Sequence, residues 1–235
     1  MKLHTETFRI RAGEVGPGGH LRLTALADLF QEVAGNNAIA VGYGTDALRE
    51  QGITWVLSRM RLSVTSLPRW GDEIVVFTWP SGIERLWAFR EFRVERPGGE
   101  VLARASSAWL ILKLASKRPI RPPEFVASVA VGMPSREIAS PTEEIDLPER
   151  TEPGPSFRAG RYDLDVNGHA NNVAILRWLL EALPEPAGLP FEALADFRGE
   201  AFEGDAIVSR RGEGVVALSV EAGGREVARL KTSAF

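Results

Sequence analysis

The sequence predicts an α+β chain made of two tandem copies of one unit, each a central helix wrapped by a curled antiparallel sheet. The first observation behind this is an internal repeat. A shift of 149 positions sets Phe8-Arg9 on Phe157-Arg158, Gly19-His20 on Gly168-His169, Ala25 on Ala174 and Glu32 on Glu181. Further along, Gly71-Asp72-Glu73-Ile74-Val75 matches Gly204-Asp205-Ala206-Ile207-Val208, and Gly98-Gly99 with Ala103-Arg104 matches Gly223-Gly224 with Ala228-Arg229. The order is kept while the offsets shrink, as in two copies with deletions in the second, and symmetry of this kind sets the fold. The second observation is that each half carries one amphipathic helix followed by a run of strand patterns, with no alternation of strand and helix. The third is size, since 235 residues suffice for two cores of about 100 residues each.

The elements follow in order. Phe8 to Arg11 reads as a first strand and Gly13 to Gly19 as a glycine-rich turn. A helix runs from Thr24, as N-cap, to about Ala40, with Leu26, Leu29, Phe30, Val33 and Asn37 or Ala38 at helical spacing. Strands are expected at Trp55 to Val64, Asp72 to Trp79, Leu86 to Glu95 and Val101 to Lys113. The turn signals Pro68-Arg69-Trp70-Gly71, Ser81-Gly82 and Pro97-Gly98-Gly99 separate them. Alternation is visible but imperfect where Phe89, Glu91, Arg93 and Glu95 interleave with Arg90, Phe92 and Val94. The proline-rich, acidic stretch from Ser116 to about Pro155 reads as a linker with room for one short helix. The domains are therefore placed at 1–122 and 156–235, joined by 123–155. In the second copy a helix from Val173 to Leu183 is stopped by Pro184, which cannot continue the ladder. Strands follow near Ala195–Ala201, Ala206–Arg210, Val215–Glu221 and Glu226–Ala234.

Composition narrows the function. A net charge of −3 argues against a general nucleic-acid binder, whose footprint is basic. With no cysteine, disulfides, thiolate metal sites and a cysteine nucleophile are excluded. Three histidines without His-x-x-x-His spacing give no basis for zinc. No apolar run approaches the ~18 residues of a membrane helix, and the polar start Met1-Lys2-Leu3-His4-Thr5-Glu6-Thr7 lacks a signal-peptide core, which makes the cytoplasm the default location.

The most informative stretch is Asp163-Leu164-Asp165-Val166-Asn167-Gly168-His169-Ala170-Asn171-Asn172, which opens into the second helix. It places carboxylates, amides and an imidazole in one turn, with Asn171 or Asn172 as helix cap. A helix N-terminus makes such a polar loop a place where developing negative charge is stabilised. The bland reading is ordinary Asp-Asn-Gly turn chemistry with an incidental histidine. The repeat weighs against it. Under the shift Asp165 falls on Gly16 and Asn167 on Gly18, so the first copy retains His20 but neither acid nor amide. Chemistry that needs the full set runs only in the second copy.

These residues resemble a known family. Asp-Leu-Asp-Val-Asn-x-His-x-Asn-Asn-Val is similar to the signature of acyl-acyl carrier protein thioesterases of the plant FatA/FatB type and their bacterial relatives. The resemblance extends over nearly the whole chain. It includes Leu29-Phe30-Gln31-Glu32-Val33-Ala34, Trp55-Val56-Leu57-Ser58-Arg59-Met60, Trp70-Gly71-Asp72, Arg104-Ala105-Ser106-Ser107-Ala108-Trp109 and Lys113-Leu114 with Lys117-Arg118. It implies two fused hotdog domains, the N-terminal one holding an acyl chain and the C-terminal one catalytic. It also implies hydrolysis of the thioester that joins a fatty acid to the phosphopantetheine arm of acyl carrier protein, in fatty acid biosynthesis, without cofactor or metal. The family's catalytic residues fall on Asp165, Asn167 and His169. Asp196-Phe197-Arg198-Gly199-Glu200-Ala201 resembles the family's Glu-Tyr-Arg-Arg-Glu-Cys and adds Glu200, with Ala201 where plant members carry cysteine.

The chemistry expected is nucleophilic attack by Asp165 or base catalysis by it on a water. Asn167 would hold the acid or the carbonyl, His169 with Glu200 would position water, and the helix N-terminus would face the thioester oxygen. For Glu200 alone, a surface carboxylate at a strand end is nearly as good a reading as a catalytic one. An acidic carrier would dock on a basic patch, for which Lys113, Lys117, Arg118 and Arg121 are candidates, against the alternative of a solvated cationic linker. Neither nucleic acid nor a membrane span is expected as a partner. A homodimer stays open, although two fused copies already supply a pairing. Two other classes compete: a hotdog acyl-CoA thioesterase and a non-catalytic acyl-binding hotdog protein.

Overall fold

The computed structural model describes residues 3–232, which form two compact units, one ending at Thr142 and the other beginning at Glu143. In the first unit, strand β1 (His4–Arg9) leads through a single 3-10 turn into helix α1 (Leu23–Ala40). A short helix α2 (Thr45–Glu50) follows. Then come β2 (Ile53–Val64), β3 (Glu73–Glu84), β4 (Trp87–Glu95), β5 (Val101–Lys113), the two-residue β6 (Pro119–Ile120) and helix α3 (Glu124–Ser128). The strands run antiparallel in the order β1-β3-β4-β5-β2, with β6 paired to β5. Helix α1 buries Leu26, Leu29, Phe30, Val33, Ala34, Asn37 and Ala38. Phe30 stacks on Phe92 of β4 at 4.7 Å between ring centroids. Burial of each large apolar side chain of this stripe contributes roughly 1.5–3 kcal/mol, and this fixes the helix on its sheet.

The second unit repeats the plan with shorter parts. Strand β7 (Glu152–Arg158) leads into helix α4 (Asn172–Glu181). The strands β8 (Phe191–Phe197), β9 (Ala206–Gly212), β10 (Val215–Val220) and β11 (Glu226–Thr232) follow, in the antiparallel order β8-β11-β10-β9-β7. Ile175, Leu176, Trp178 and Leu179 of α4 are buried, and Trp178 stacks on Phe157 of β7 at 6.2 Å. The α+β hotdog architecture is thus present in each unit.

Where the boundaries differ from expectation, the cause is local. The Ser81-Gly82 signal does not end a strand: β3 passes through it as a bulge between Pro80 and Gly82, and the reversal falls at Arg85, whose φ is +55°. Helix α1 is preceded by Arg22, not Thr24, at its N-cap. The residues assigned to a linker split: 123–142 belong to the first unit and include α3, and β7 begins inside the stretch at Glu152. Ala201 lies four residues beyond the end of β8. Ala234, expected to end the last strand, lies outside the described residues. No helix among the described residues is long and apolar enough to cross a membrane.

Candidate active site

The two copies share a backbone device ahead of their helices, and it positions the loop that matters. In the first unit a 3-10 turn at Ala12–Glu14 is closed by the bridge Val15–Leu21, and in the second a turn at Arg161–Asp163 by the bridge Leu164–Ala170. The hydrogen bonds correspond. Gly16 N donates to His20 O at 2.9 Å, and Asp165 N to His169 O at 2.8 Å. Arg22 N donates to Glu14 O, and Asn171 N to Asp163 O. Leu21 N donates to Pro68 O, and Ala170 N to Ala201 O. Gly19 and Gly168 both sit at positive φ, +74° and +78°, where a side chain is strained. The repeat read from the sequence is therefore a repeat of geometry, and the turn alone requires no acid.

Side chains distinguish the copies. In the second unit the Asp165 carboxylate is held by its own loop: Oδ1 accepts from Asn167 N at 2.8 Å and from His169 N at 3.4 Å, while Oδ2 accepts from Asn167 Nδ2 at 2.9 Å. Both oxygens are thereby fixed in direction, and Asn167 is assigned to the acid. Asn171 caps α4, its Oδ1 accepting from Val173 N at 2.9 Å, whereas Arg22 gives α1 no side-chain cap. Asp163 anchors the other edge, accepting from Gly160 N at 2.9 Å and from Arg177 Nη2 at 2.8 Å.

His169 Nδ1 lies 3.5 Å from Glu200 Oε1. Two features deliver Glu200 to that place. Ala170 N bonds the carbonyl of Ala201 at 2.7 Å, stitching the two loops together. Gly199 passes so close to the chain that a Cβ would stand 2.4 Å from Glu226 O, so only glycine fits before Glu200. The equivalent bond in the first unit goes to Pro68, which sets Leu67 at the place of Glu200. Sequence reasoning did not find Phe202, whose ring meets the His169 imidazole edge-on at 5.1 Å and carries the Arg225 guanidinium 5.3 Å over its face. All four expected residues thus fall in one constellation: Asp165 with Asn167, His169 with Glu200, and the two pairs joined through the His169 backbone. Ala201 is fully buried. Such a set presents a carboxylate and an imidazole–carboxylate pair beside a helix N-terminus, the parts needed to deliver an oxygen nucleophile to an activated acyl group.

Comparison with known proteins fixes the family. The model of the acyl-ACP thioesterase N-terminal domain matches residues 1–129, and that of the C-terminal domain matches residues 149–201. The chain belongs to the acyl-ACP thioesterase family. It is 30% identical over 230 residues to the chloroplastic oleoyl-acyl carrier protein thioesterase of Coriandrum sativum, an alignment covering 88% of this chain and 61% of that protein. The chain therefore spans about three-fifths of that relative's length. The fold is shared with an acyl-ACP thioesterase from Bacteroides thetaiotaomicron, at a TM-score of 0.87, 23% identity and coverage of 98% and 96% of the two chains. It is also shared with the 12:0-ACP thioesterase from Umbellularia californica, at a TM-score of 0.81, 24% identity and the same coverage. The C-terminal family model ends at residue 201, so Asp165, Asn167, His169 and Glu200 all lie inside the matched segment.

The first unit also contains an internal space. A cavity of about 540 Å³ lies beside α1, with Ala34, Ala38, Trp55, Ile83, Phe89 and Trp109 in its wall. Val33, on the apolar stripe of α1, and Val56 of β2 are not among its lining residues; Val33 is fully buried core. Helical spacing identifies the apolar stripe of α1 but not which edge of it faces open space.

Proposed function

We propose that this chain hydrolyses fatty acyl-acyl carrier protein, releasing free fatty acid and carrier protein, in the cytoplasm. The observation that carries the reading is the pairing of Asp165 with Asn167 and of His169 with Glu200 in one copy only of a backbone device that both copies possess. Asp165 is the acid that acts on the thioester, Asn167 holds it, and His169 with Glu200 positions and activates water. A thioester needs no strong leaving-group acid, because a thiol is far more acidic than an alcohol and departs as thiolate. In one route Asp165 attacks the carbonyl carbon, the C–S bond breaks, and water then cleaves the acyl-aspartyl anhydride. In the other Asp165 takes a proton from water as that water attacks. A single turnover in ¹⁸O-water tests the first route, since label enters the Asp165 carboxylate only when water opens an anhydride at the aspartyl carbonyl. The acyl chain occupies the cavity of the first unit, whose wall is mostly apolar.

The exposed cations Lys113, Lys117, Arg118 and Arg121 lie on and just after the β5–β6 hairpin and suit an acidic carrier. The deciding experiment measures thiol release from matched acyl-carrier protein and acyl-CoA substrates. Preference for the carrier supports the reading. Equal or better use of CoA replaces the carrier with CoA, and release from neither leaves a binding protein.

A further inference from the structure

The wall of the first-unit cavity includes a charge. Arg90, on β4, lines the cavity and is only 7% exposed. Its Nη1 donates to Asn37 Oδ1 at 2.9 Å and to Thr78 Oγ1 at 3.1 Å, and its Nη2 donates to Tyr43 OH at 3.1 Å. All three acceptors are neutral, and among the described residues no carboxylate is paired with it. An arginine has five N–H donors and stays charged even when burial works against it. Nε–H and one Nη2–H therefore have no acceptor among the described residues. Burial lowers the affinity of this guanidinium for its proton, while the Tyr43 hydroxyl works in the opposite direction.

A methyl-ended chain lying against such a group removes it from what remains of its solvation and returns no hydrogen bond, which costs free energy. A chain ending in an oxygen supplies the missing acceptor. From this geometry we infer that Arg90 is the specificity-determining residue that limits how long an aliphatic chain the cavity takes, and that acyl groups with an oxygen at the tail are accepted beyond that limit. The inference rests on the reading above that the cavity holds the acyl chain. Short of Arg90, each added CH₂ contributes about 0.8 kcal/mol, a rate gain of about fourfold. At Arg90 that gain stops and reverses.

The test begins with the unmodified full chain and needs no variant. The ratio kcat/KM is measured for saturated C8 to C18 acyl-carrier proteins, and at the first length where it falls the methyl-ended substrate is compared with its ω-hydroxy counterpart. The expected result is at least a fivefold advantage for the hydroxylated chain at that length and none at shorter lengths. Arg90→Met then moves the fall to chains at least two carbons longer and abolishes the hydroxyl advantage, while Arg90→Lys retains both. No hydroxyl advantage in the unmodified protein overturns the inference, as does a folded Arg90→Met protein with an unchanged profile. If Arg90→Met does not fold, the unmodified-protein comparison decides alone. If no acyl-carrier protein of any length is hydrolysed, the enzymatic reading fails separately. Competition between free fatty acids and ω-hydroxy fatty acids for the cavity, followed by displacement of a fluorescent fatty acid, then tests Arg90 on its own.

Discussion

His169 Nδ1 stands 3.5 Å from Glu200 Oε1, and the equivalent places in the first unit hold His20 and Leu67. The imidazole is common to both copies and the carboxylate is not. Since the principal backbone hydrogen bonds of the two turns correspond, folding of the turn is not what requires Glu200 or Asp165. Asp165→Asn and His169→Ala are accordingly expected to lower kcat by roughly 10²- to 10⁴-fold with little change in thermal stability. Glu200→Gln should lower kcat less, as it acts through His169. His20→Ala is the control and should be near neutral. A folded Asp165→Asn protein with close to full turnover would sink the assignment.

Thiol-alkylating reagents are expected to leave activity unchanged, because the chain has no cysteine and the position where plant members carry one is a fully buried alanine. Incubation with excess maleimide followed by an activity assay checks this. Time-dependent inactivation would mean that a group other than those named performs the chemistry.

The cap of α4 offers a stability prediction with a built-in comparison. Asn171→Ala removes the acceptor for Val173 N and should cost about 1 kcal/mol, measurable by urea denaturation. Arg22→Ala removes no such cap from α1, so any loss there has to come from its other contacts. Because Asn171 also ends the active loop, its variant should lower kcat modestly as well. Unchanged stability would show that the first turn of α4 finds another partner.

Much of this was legible in the sequence, for identifiable reasons. Gly19-His20 and Gly168-His169 betrayed the repeat because a tight turn at positive φ favours glycine, so its spacing survives divergence. Asp165, Asn167 and His169 were legible because one short loop holds them all. Glu200 was less so, since its partner lies 31 positions away in the sequence and only the Ala170–Ala201 bond brings it near. Pro80-Ser81-Gly82 misled because a bulge and a turn use the same residues, whereas the true reversal at Arg85 carries no turn residue. The broken alternation along β4 has a physical cause as well. Arg90 and Glu91 are both buried, so neither face of the strand there is free to be polar in the ordinary way.

Glu91 predicts a pH dependence of stability. Its Oε1 accepts from Ser81 Oγ at 2.6 Å and Ser106 Oγ at 3.0 Å, and its Oε2 is buried without a hydrogen-bond partner. Burial is the dominant cause that raises this carboxyl from 4.5 to about 7, against the serine hydroxyls and Arg136, which pull it down. A raised folded-state pKa means that the native protein holds this proton more tightly than the unfolded chain. The contribution is fully present below about pH 4.5 and is lost as pH rises through about 7. The loss amounts to about 3 kcal/mol from a shift of this size. Glu91→Gln imitates the protonated form, so its stability should match that of the parent near pH 4.5 and exceed it above pH 7. Parallel curves of unfolding free energy against pH for the two proteins would refute the argument.

The last prediction concerns the division of labour between the units. If the first-unit cavity holds the acyl chain, filling it from α1 must shorten the chain accepted without touching the thioester. Ala34→Leu and Ala38→Leu each add three carbons to a lining position, and both residues are at most 9% exposed, so the added bulk has little path outward. Each methylene displaced from the cavity forfeits about 0.8 kcal/mol, about fourfold in relative rate, so the optimum should move by two or more carbons toward shorter chains. Val33→Leu is the matched control: it overpacks solid core and should cost about 1–3 kcal/mol of stability while leaving the profile in place. In the second unit Ile175→Val trims the buried face of α4 and should likewise lower stability alone. Rates for C8 to C18 acyl-carrier proteins, with thermal unfolding of each variant, decide the matter. If Ala34→Leu and Ala38→Leu fold normally and keep the parental profile while Ile175→Val shifts it, the chain does not lie beside α1 and the two units have exchanged the roles argued here.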